Sequence, residues 1–523
     1  MNKVKPHVLL LCSIIGIGNN RLEQLVLDKC QEIDLTFDYP QSSHESLFER
    51  FYLYVLPRII NNIQSLTLHI QHLPKIASFV EKNCDGILPN LTHLRIMLGR
   101  RNPKTGTPFT IGLGIYSMFR NWPLLSIIPQ LFRVEGTPRS EILSSFCSSL
   151  LMCSIVSFEL DDDCILPKIF NVRELFFPHS HQLTHIRITL CYFEHCISLL
   201  KQLGSQLYSF SVNIVYVDGT AIRVIYEIPS ILCPNLKQLT MTMYYSFVGY
   251  KECLVSLLQR FSNVEYLTLL LAIDLRESSP NHFINGYDLE NDIISYMPHL
   301  NQFNFHIRSI LENAAHVEID TIRQSFMKQQ YRFVGCTIDY FNNNYGQCQI
   351  YSLPFIGTRL DFISNRFPLF DINNTFSMVT VLLLFDDIKP FENVFFERLA
   401  QTLLHLRTLE VVNRLEQQEK TTTSTNNLKF IHLATLILFD IHMNYAEQFL
   451  CRTYLPCLNE LAIHTDALFA IIAQDQHQTR DNCSRVERLR TSKPLYNSIN
   501  AIQNYFPPDS YIQHPDEIEE ENT

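Results

Sequence analysis

Apolar residues recur along this chain in one frame: apolar-x-x-apolar-x-apolar, often with another apolar residue two positions on. It occurs as Ile63-Gln-Ser-Leu66-Thr-Leu68-His-Ile70, and again as Leu91-Thr-His-Leu94-Arg-Ile96-Met-Leu98. It returns as Leu183-Thr-His-Ile186-Arg-Ile188-Thr-Leu190 and as Leu236-Lys-Gln-Leu239-Thr-Met241-Thr-Met243. Further copies start at Ile155, Leu207, Val264, Leu300, Val379, Leu406, Leu433 and Leu458, which makes twelve. The alternation inside the frame predicts a short strand.

At this apolar content, apolar residues coincide by chance at all four positions in ~4% of windows and at the three required ones in ~10%, so the frame alone is weak. Two regularities strengthen it. Nine of the twelve copies are preceded by Asn, Gln or His: Asn62, Asn90, Gln182, Gln206, Asn235, Asn263, His299, His405 and His432. The gaps between starts are 28, 64, 28, 24, 29, 28, 36, 79, 27, 27 and 25 residues, and eight of these eleven fall in the range of leucine-rich repeats.

Helical spacing fills the intervals. Leu73, Ile76, Phe79 and Val80 lie on one helical face, as do Leu254, Leu257, Leu258 and Phe261. Ile197, Leu200 and Leu203 continue the pattern, and so do Leu289, Ile293, Ile294 and Met297. The unit is thus strand, helix, then a turn often carrying proline: Pro89, Pro234, Pro298 and Pro456. The expected fold is α/β: a leucine-rich-repeat solenoid, or horseshoe, with parallel strands on the concave face and helices behind.

The expected organisation has five parts. Residues 1–30 are an apolar N-terminal segment, and 31–480 an irregular repeat array. Within it, 99–150 read as an insertion and 308–378 as atypical repeats with two alternating strands, Tyr331–Tyr340 and Cys348–Phe355. Residues 481–510 are a C-terminal cap, and 511–523 an acidic tail expected to be disordered. The polar stretch Glu416–Asn427 reads as an exposed loop.

Composition fits one long apolar core. The chain has 523 residues, of which 46% are hydrophobic and 18% charged, with only 15 glycines. Such content excludes whole-chain disorder and collagen-like architecture. The net charge of −10 supplies no basic face for nucleic acid. The densest basic spot, Arg100, Arg101 and Lys104, reads as a solvated loop. Fifteen scattered cysteines without any CxxC read as free thiols in a reducing compartment.

Lys3 and Lys5 precede an apolar run from Val8 to Gly18, which has the outline of a signal peptide. The favoured reading is a buried first element, with a cytoplasmic or nuclear protein; secretion is the alternative. No stretch reaches the ~20 apolar residues of a membrane span. The sequons at Asn90, Asn373 and Asn482 matter only on secretion.

Candidate chemistry is sparse. No P-loop, nucleophile elbow, HExxH or EF-hand spacing occurs, and Gly112-Leu-Gly114 is a fragment of a dinucleotide motif. His179, His181, His185, Cys191, His195 and Cys196 form the densest group of metal-ligand types. Alternation of side chains along the strand separates them, so surface histidines and buried thiols are the plainer reading. Glu159 and Asp161 to Asp163 read as a turn cap rather than a cation site. The expectation is a non-enzymatic chain without metal or cofactor. Binding is expected on the x positions of the frames: Thr67, His69, Arg95, Met97, Arg187, Thr189, Thr240, Thr242, Asn304 and His306.

With these elements placed, the chain resembles F-box and leucine-rich-repeat-like proteins. Leu25-Val-Leu-Asp-Lys-Cys-Gln-Glu-Ile-Asp-Leu-Thr-Phe-Asp38 resembles the junction between an F-box and its repeats. The run from Leu56 to Leu68 resembles the first repeat, and Val334–Leu360 and Asp481–Pro494 resemble later parts. The resemblance covers residues 20 to 507. It implies a substrate receptor of a cullin–RING ubiquitin ligase, with a protein substrate on the repeat face and a Skp-type adaptor at the F-box. The usual F-box opening is missing, and only its last helix, Asn20–Cys30, has room. The alternatives are a stand-alone repeat scaffold that recruits no ligase, or a secreted repeat receptor.

Overall fold

The structure is a computed structural model that describes residues 11–12, 14–15, 18–27, 30–35, 49–98, 138–161, 175–190, 192–215, 224–275, 281–326, 334–342, 344–370, 375–418, 428–492, 502, 504–508 and 510–513. The fold is α/β with mostly parallel sheets, and the chain divides into two compact units. The first comprises residues 1–109, 129–268 and 290–303; the second comprises 110–128, 269–289 and 304–523.

In the first unit, β1 (Glu32–Leu35), β2 (Ser65–His69), β3 (His93–Met97) and β4 (Ser157–Asp161) precede β5 (His185–Leu190), β6 (Ser209–Ile214) and β7 (Gln238–Phe247). Each pairs in parallel with the next. Register stacks like on like: Ile33, Leu66, Leu94, Phe158, Ile186, Phe210 and Leu239 form one row, all buried. Two residues on, Leu35, Leu68, Ile96, Leu160, Ile188, Val212 and Met241 form a second. Each fully buried aliphatic side chain is worth roughly 1.5–3 kcal/mol, so these rows dominate the unit's stability. Helices α1 (Leu73–Asn83) and α2 (Phe193–Leu203) bury the predicted stripes, including Leu73, Ile76 and Val80 in α1 and Ile197, Leu200 and Leu203 in α2.

β8 (Tyr266–Asp274) and β9 (Gln302–Glu312) follow. In the second unit, β10 (Val334–Tyr340) and β11 (Tyr345–Ser352) form an antiparallel hairpin, and β11 also pairs antiparallel with β9. Gly335 lies against the Tyr351 ring, where an added Cβ would come within 2.1 Å of it, so no larger residue fits there. The predicted alternating strands therefore exist, shifted by a few residues, but β11 is antiparallel to both of its neighbours, β9 and β10, which the frames do not anticipate. A seven-stranded parallel sheet comes next: β12 (Arg359–Ile363), β13 (Val381–Phe385), β14 (Thr408–Asn413), β15 (Thr435–Ile441), β16 (Glu460–Ile463), β17 (Arg488–Thr491) and β18 (Tyr511–Gln513). Its register stacks Leu360, Leu382, Leu409, Leu436, Leu461, Leu489 and Ile512. The six leucines of that row are fully buried. Helices α3 (Asn393–Thr402) and α4 (Thr465–Ala473) add Phe396, Leu399, Leu468 and Ile471 to the same core.

Each of the twelve frames starts two residues before a strand, β2–β9 and β13–β16. The polar residue before the frame also has a physical role. Side-chain amides of Asn62, Asn90, Gln206, Asn235 and Asn263 donate to the backbone oxygens of Leu27, Asn61, Ser180, Ser205 and Pro234. Each thereby satisfies a carbonyl in the preceding turn that has no strand partner. In the second unit His405 and His432 instead stack, with ring centroids 6.4 Å apart.

Asn482 is fully buried, donating to the carbonyls of Leu450 and Thr453 and accepting from the Leu455 amide, so this sequon is inaccessible in the folded chain. The thirteen cysteines among the described residues are free thiols. Leu11, Cys12 and Ile15 are buried. Of the expected disordered tail 511–523, Tyr511–Gln513 instead pair with β17 as the edge strand β18; the rest of it, most of Lys3–Gly18, the bulk of the 99–150 stretch and residues 419–427 lie outside the described residues.

The stacked rows predict opposite outcomes at adjacent positions. Leu239→Asp places a charge in the Phe210 row and should cost about 3–5 kcal/mol in denaturant titration. Thr240→Asp, facing away from that row, should cost under about 1 kcal/mol. Equal losses would show that the faces are misassigned.

Candidate interaction face

On the first unit, the same register that stacks the core aligns the opposite face. Asp34, Thr67, Arg95, Glu159, Arg187, Ser211 and Thr240 form one transverse row across β1–β7. Four of the ten sequence-predicted binding residues, Thr67, Arg95, Arg187 and Thr240, thus come together here. Thr189 and Thr242 flank Asn213 in the next row. Arg187 is exposed, and Thr67, Arg95, Thr189, Thr240 and Thr242 are half-buried. Arg95 pairs with Glu159 at 3.5 Å, both partly exposed to solvent, and such a pair contributes little stability.

Three predicted binding residues are not on an open surface. His69, Met97 and His306 are 3%, 2% and 6% exposed. Alternation assigns a side chain to a face of its strand; it does not say whether that face is covered. Asn304 and His306 belong to the second unit and do not join the row of the first. Asn304 is half-buried.

The second unit carries a different arrangement. A bulge between Leu360 and Ile363 puts Phe362 at φ +57°, left-handed backbone that non-glycine residues seldom adopt. Its carbonyl accepts hydrogen bonds from Gln347 (3.0 Å) and Gln349 (3.3 Å), and its ring lies 4.3 Å from the Arg308 guanidinium. Gln349 Oε1 and His306 Nε2 are 3.0 Å apart, and Arg308 Nη1 donates to Gln347 Oε1 at 3.4 Å. Arg359 Nε donates to both oxygens of Asp361, at 2.9 and 2.8 Å. Glu410 lies in register between Leu383 and Ile437, both buried.

The electrostatics follow from this burial. Desolvation pushes Glu410 up to about 8; nearby Arg359 opposes that rise and Asp361 adds to it. Desolvation also brings His306 down to about 4, against the hydrogen bond to Gln349, and Arg308 down to about 10. His306 is therefore a neutral ring held by Gln349, with the Phe355 ring packed edge-on at 5.4 Å. Beside this cluster, Thr435 Oγ1 donates to Glu460 at 3.3 Å, and Arg488 lies 3.7 Å from Glu460.

The sequence reading missed this cluster. Its signal was present: Glu410 occupies in the frame starting at Leu406 the place that Thr240 occupies in the frame starting at Leu236. Of the candidate metal group, His195 and Cys196 are buried in α2, His179 and His185 are half-buried, His181 is exposed, and Cys191 lies outside the described residues. Among the described residues, no three His, Cys, Asp or Glu side chains converge to hold a metal, and no helix is long and apolar enough to cross a membrane. Arg100, Arg101, Lys104, Gly112 and Gly114 lie outside the described residues.

No family model and no curated protein matches the chain. Among solved structures, the crystal structure of the Rad7 and Elc1 complex in yeast holds a chain that aligns over 90% of this chain and 77% of that one. The identity is 10% and the TM-score 0.25, a likeness that carries no argument about this chain.

Glu410 makes stability depend on pH. Its folded value lies above the ordinary carboxylate range, so the folded state holds a proton that the unfolded chain releases. That contribution is fully present below about pH 4.5 and is lost as pH rises through about 8. Glu410→Gln should therefore unfold at higher denaturant than the parent at pH 9, by roughly 2–4 kcal/mol, with the advantage vanishing near pH 4.5. A difference independent of pH would count against a buried, protonated carboxyl.

Proposed function

We propose that this chain is a non-enzymatic protein-recognition module of the F-box and leucine-rich-repeat-like kind. In this reading it presents a protein substrate to a cullin–RING ubiquitin ligase through a Skp-type adaptor. The observation that carries the recognition half is the transverse row on β1–β7: polar, accessible and rigidly spaced by strand pairing. Mixed polar surfaces of this kind suit protein partners. Side chains mounted on paired strands lose little freedom on binding, which favours affinity.

The adaptor half rests on the segment Asn20–Leu27, an amphipathic helix with no buried residue. It is tied down by Glu23, which pairs with Arg58 at 3.2 Å, and by Asn62, which donates to the Leu27 carbonyl. Leu22 and Leu25 are nevertheless 46% and 53% exposed, and Leu53 and Tyr54 add 67% and 64%. Leucines held outward by a fixed helix are what a partner would cover.

Two readouts test the two halves. Proximity labelling in cells with the full chain should identify partners lost in Thr240→Arg. Co-precipitation with a purified Skp-type adaptor should succeed for the parent and fall at least about tenfold in Leu22→Asp/Leu25→Asp. Adaptor binding unchanged by those substitutions removes the ligase half and leaves a stand-alone scaffold. Labelling unchanged by Thr240→Arg removes the strand face.

A further inference from the structure

Arg187 occupies the middle of the transverse row, exposed and without a hydrogen bond or ion pair among the described residues. Its register neighbour on β4, Glu159, is turned to Arg95 at 3.5 Å. On the other side, β6 and β7 present Ser209, Ser211 and Asn213, then Gln238, Thr240 and Thr242. All six are uncharged hydrogen-bonding residues, and all are half-buried or exposed. On β5 itself His185 and Thr189 flank Arg187, both half-buried, so among the described residues the face of β5–β7 carries one guanidinium and one imidazole in a field of hydroxyls and amides, on a chain whose net charge is −10.

A guanidinium left unpaired among neutral donors matches a carboxylate. The planar fork engages both oxygens, and neighbouring hydroxyls can donate to the same group. The opposite partner, a basic side chain, would meet Arg187 head-on, and the register neighbour that could relieve the repulsion, Glu159, is already paired with Arg95. We propose that the strand face of β5–β7 takes an acidic, Asp- or Glu-rich segment of the partner, with Arg187 as its anchoring cation. This rests on the reading of that face as the partner surface, and it names the partner's chemistry.

The test is fluorescence anisotropy with the full chain and three labelled probes: a short poly-glutamate peptide, a phosphoserine peptide and a poly-lysine peptide. Poly-glutamate should bind, and added salt should weaken it. Arg187→Glu should lower that affinity about tenfold, while Arg187→Lys keeps part of it. Poly-lysine binding should not fall in Arg187→Glu, and the exposed site should leave the melting temperature unchanged. Equal poly-glutamate affinity for parent and Arg187→Glu overturns the proposal, as does no binding to the parent. Binding of the phosphoserine peptide without the glutamate peptide overturns the carboxylate assignment. These failures are separable from that of the face itself, which is read by partner labelling in Thr240→Arg.

Discussion

In-register parallel pairing is the constraint on which the rest depends. Leu360, Leu382, Leu409, Leu436, Leu461 and Leu489 stand one above another because each strand begins at the same point of its frame. A slip of one residue would turn each of these side chains to the opposite face, since strand side chains alternate. The cost of exposing a row of leucines therefore holds the register. The outward row is a by-product: once Leu66, Leu94 and Ile186 are stacked, Thr67, Arg95 and Arg187 have no freedom to be elsewhere along the strand.

The two units use this constraint differently. In the first, the outward row from Asp34 to Thr240 carries Asp, Thr, Arg, Glu and Ser and remains at least partly accessible, although His69 and Met97 further along β2 and β3 are buried. In the second, Leu383, Ile437 and Ala462 occupy equivalent places around Glu410 and are buried. Polar groups there satisfy one another, as with Arg359 and Asp361 or Gln349 and His306. Buried polar groups must be paired or neutralised, which is why His306 stays neutral and Glu410 favours its protonated form. A partly accessible polar row on the first unit and a closed polar interior on the second follow from one pattern with different side chains at the x positions.

Much of the fold was legible from residue patterns. All twelve frames coincide with strands, and the stripes of α1 and α2 are buried as their spacing implies. The enrichment of Asn, Gln and His before the frame is explained by amides reaching the preceding turn, as from Asn235 to Ser205. What escaped has local reasons. β12 begins after Gly357, so the first apolar position is missing, and a bulge breaks its alternation. β17 carries Thr491 where the frame wants an aliphatic residue. β10 and β11 have strand-like alternation, but nothing in period two distinguishes an antiparallel hairpin from a parallel strand.

The sequence by itself determined the strands, their shared starting point and which residues point away from the core, because burial of a periodic apolar pattern admits one register. Only the tertiary structure decided which of those outward residues reach solvent. Thr240 and Glu410 sit at the same place in their frames, yet one is accessible and the other enclosed. That difference depends on neighbours distant in sequence, Leu383 and Ile437 beside Glu410 against Ser211 beside Thr240, which no local periodicity encodes.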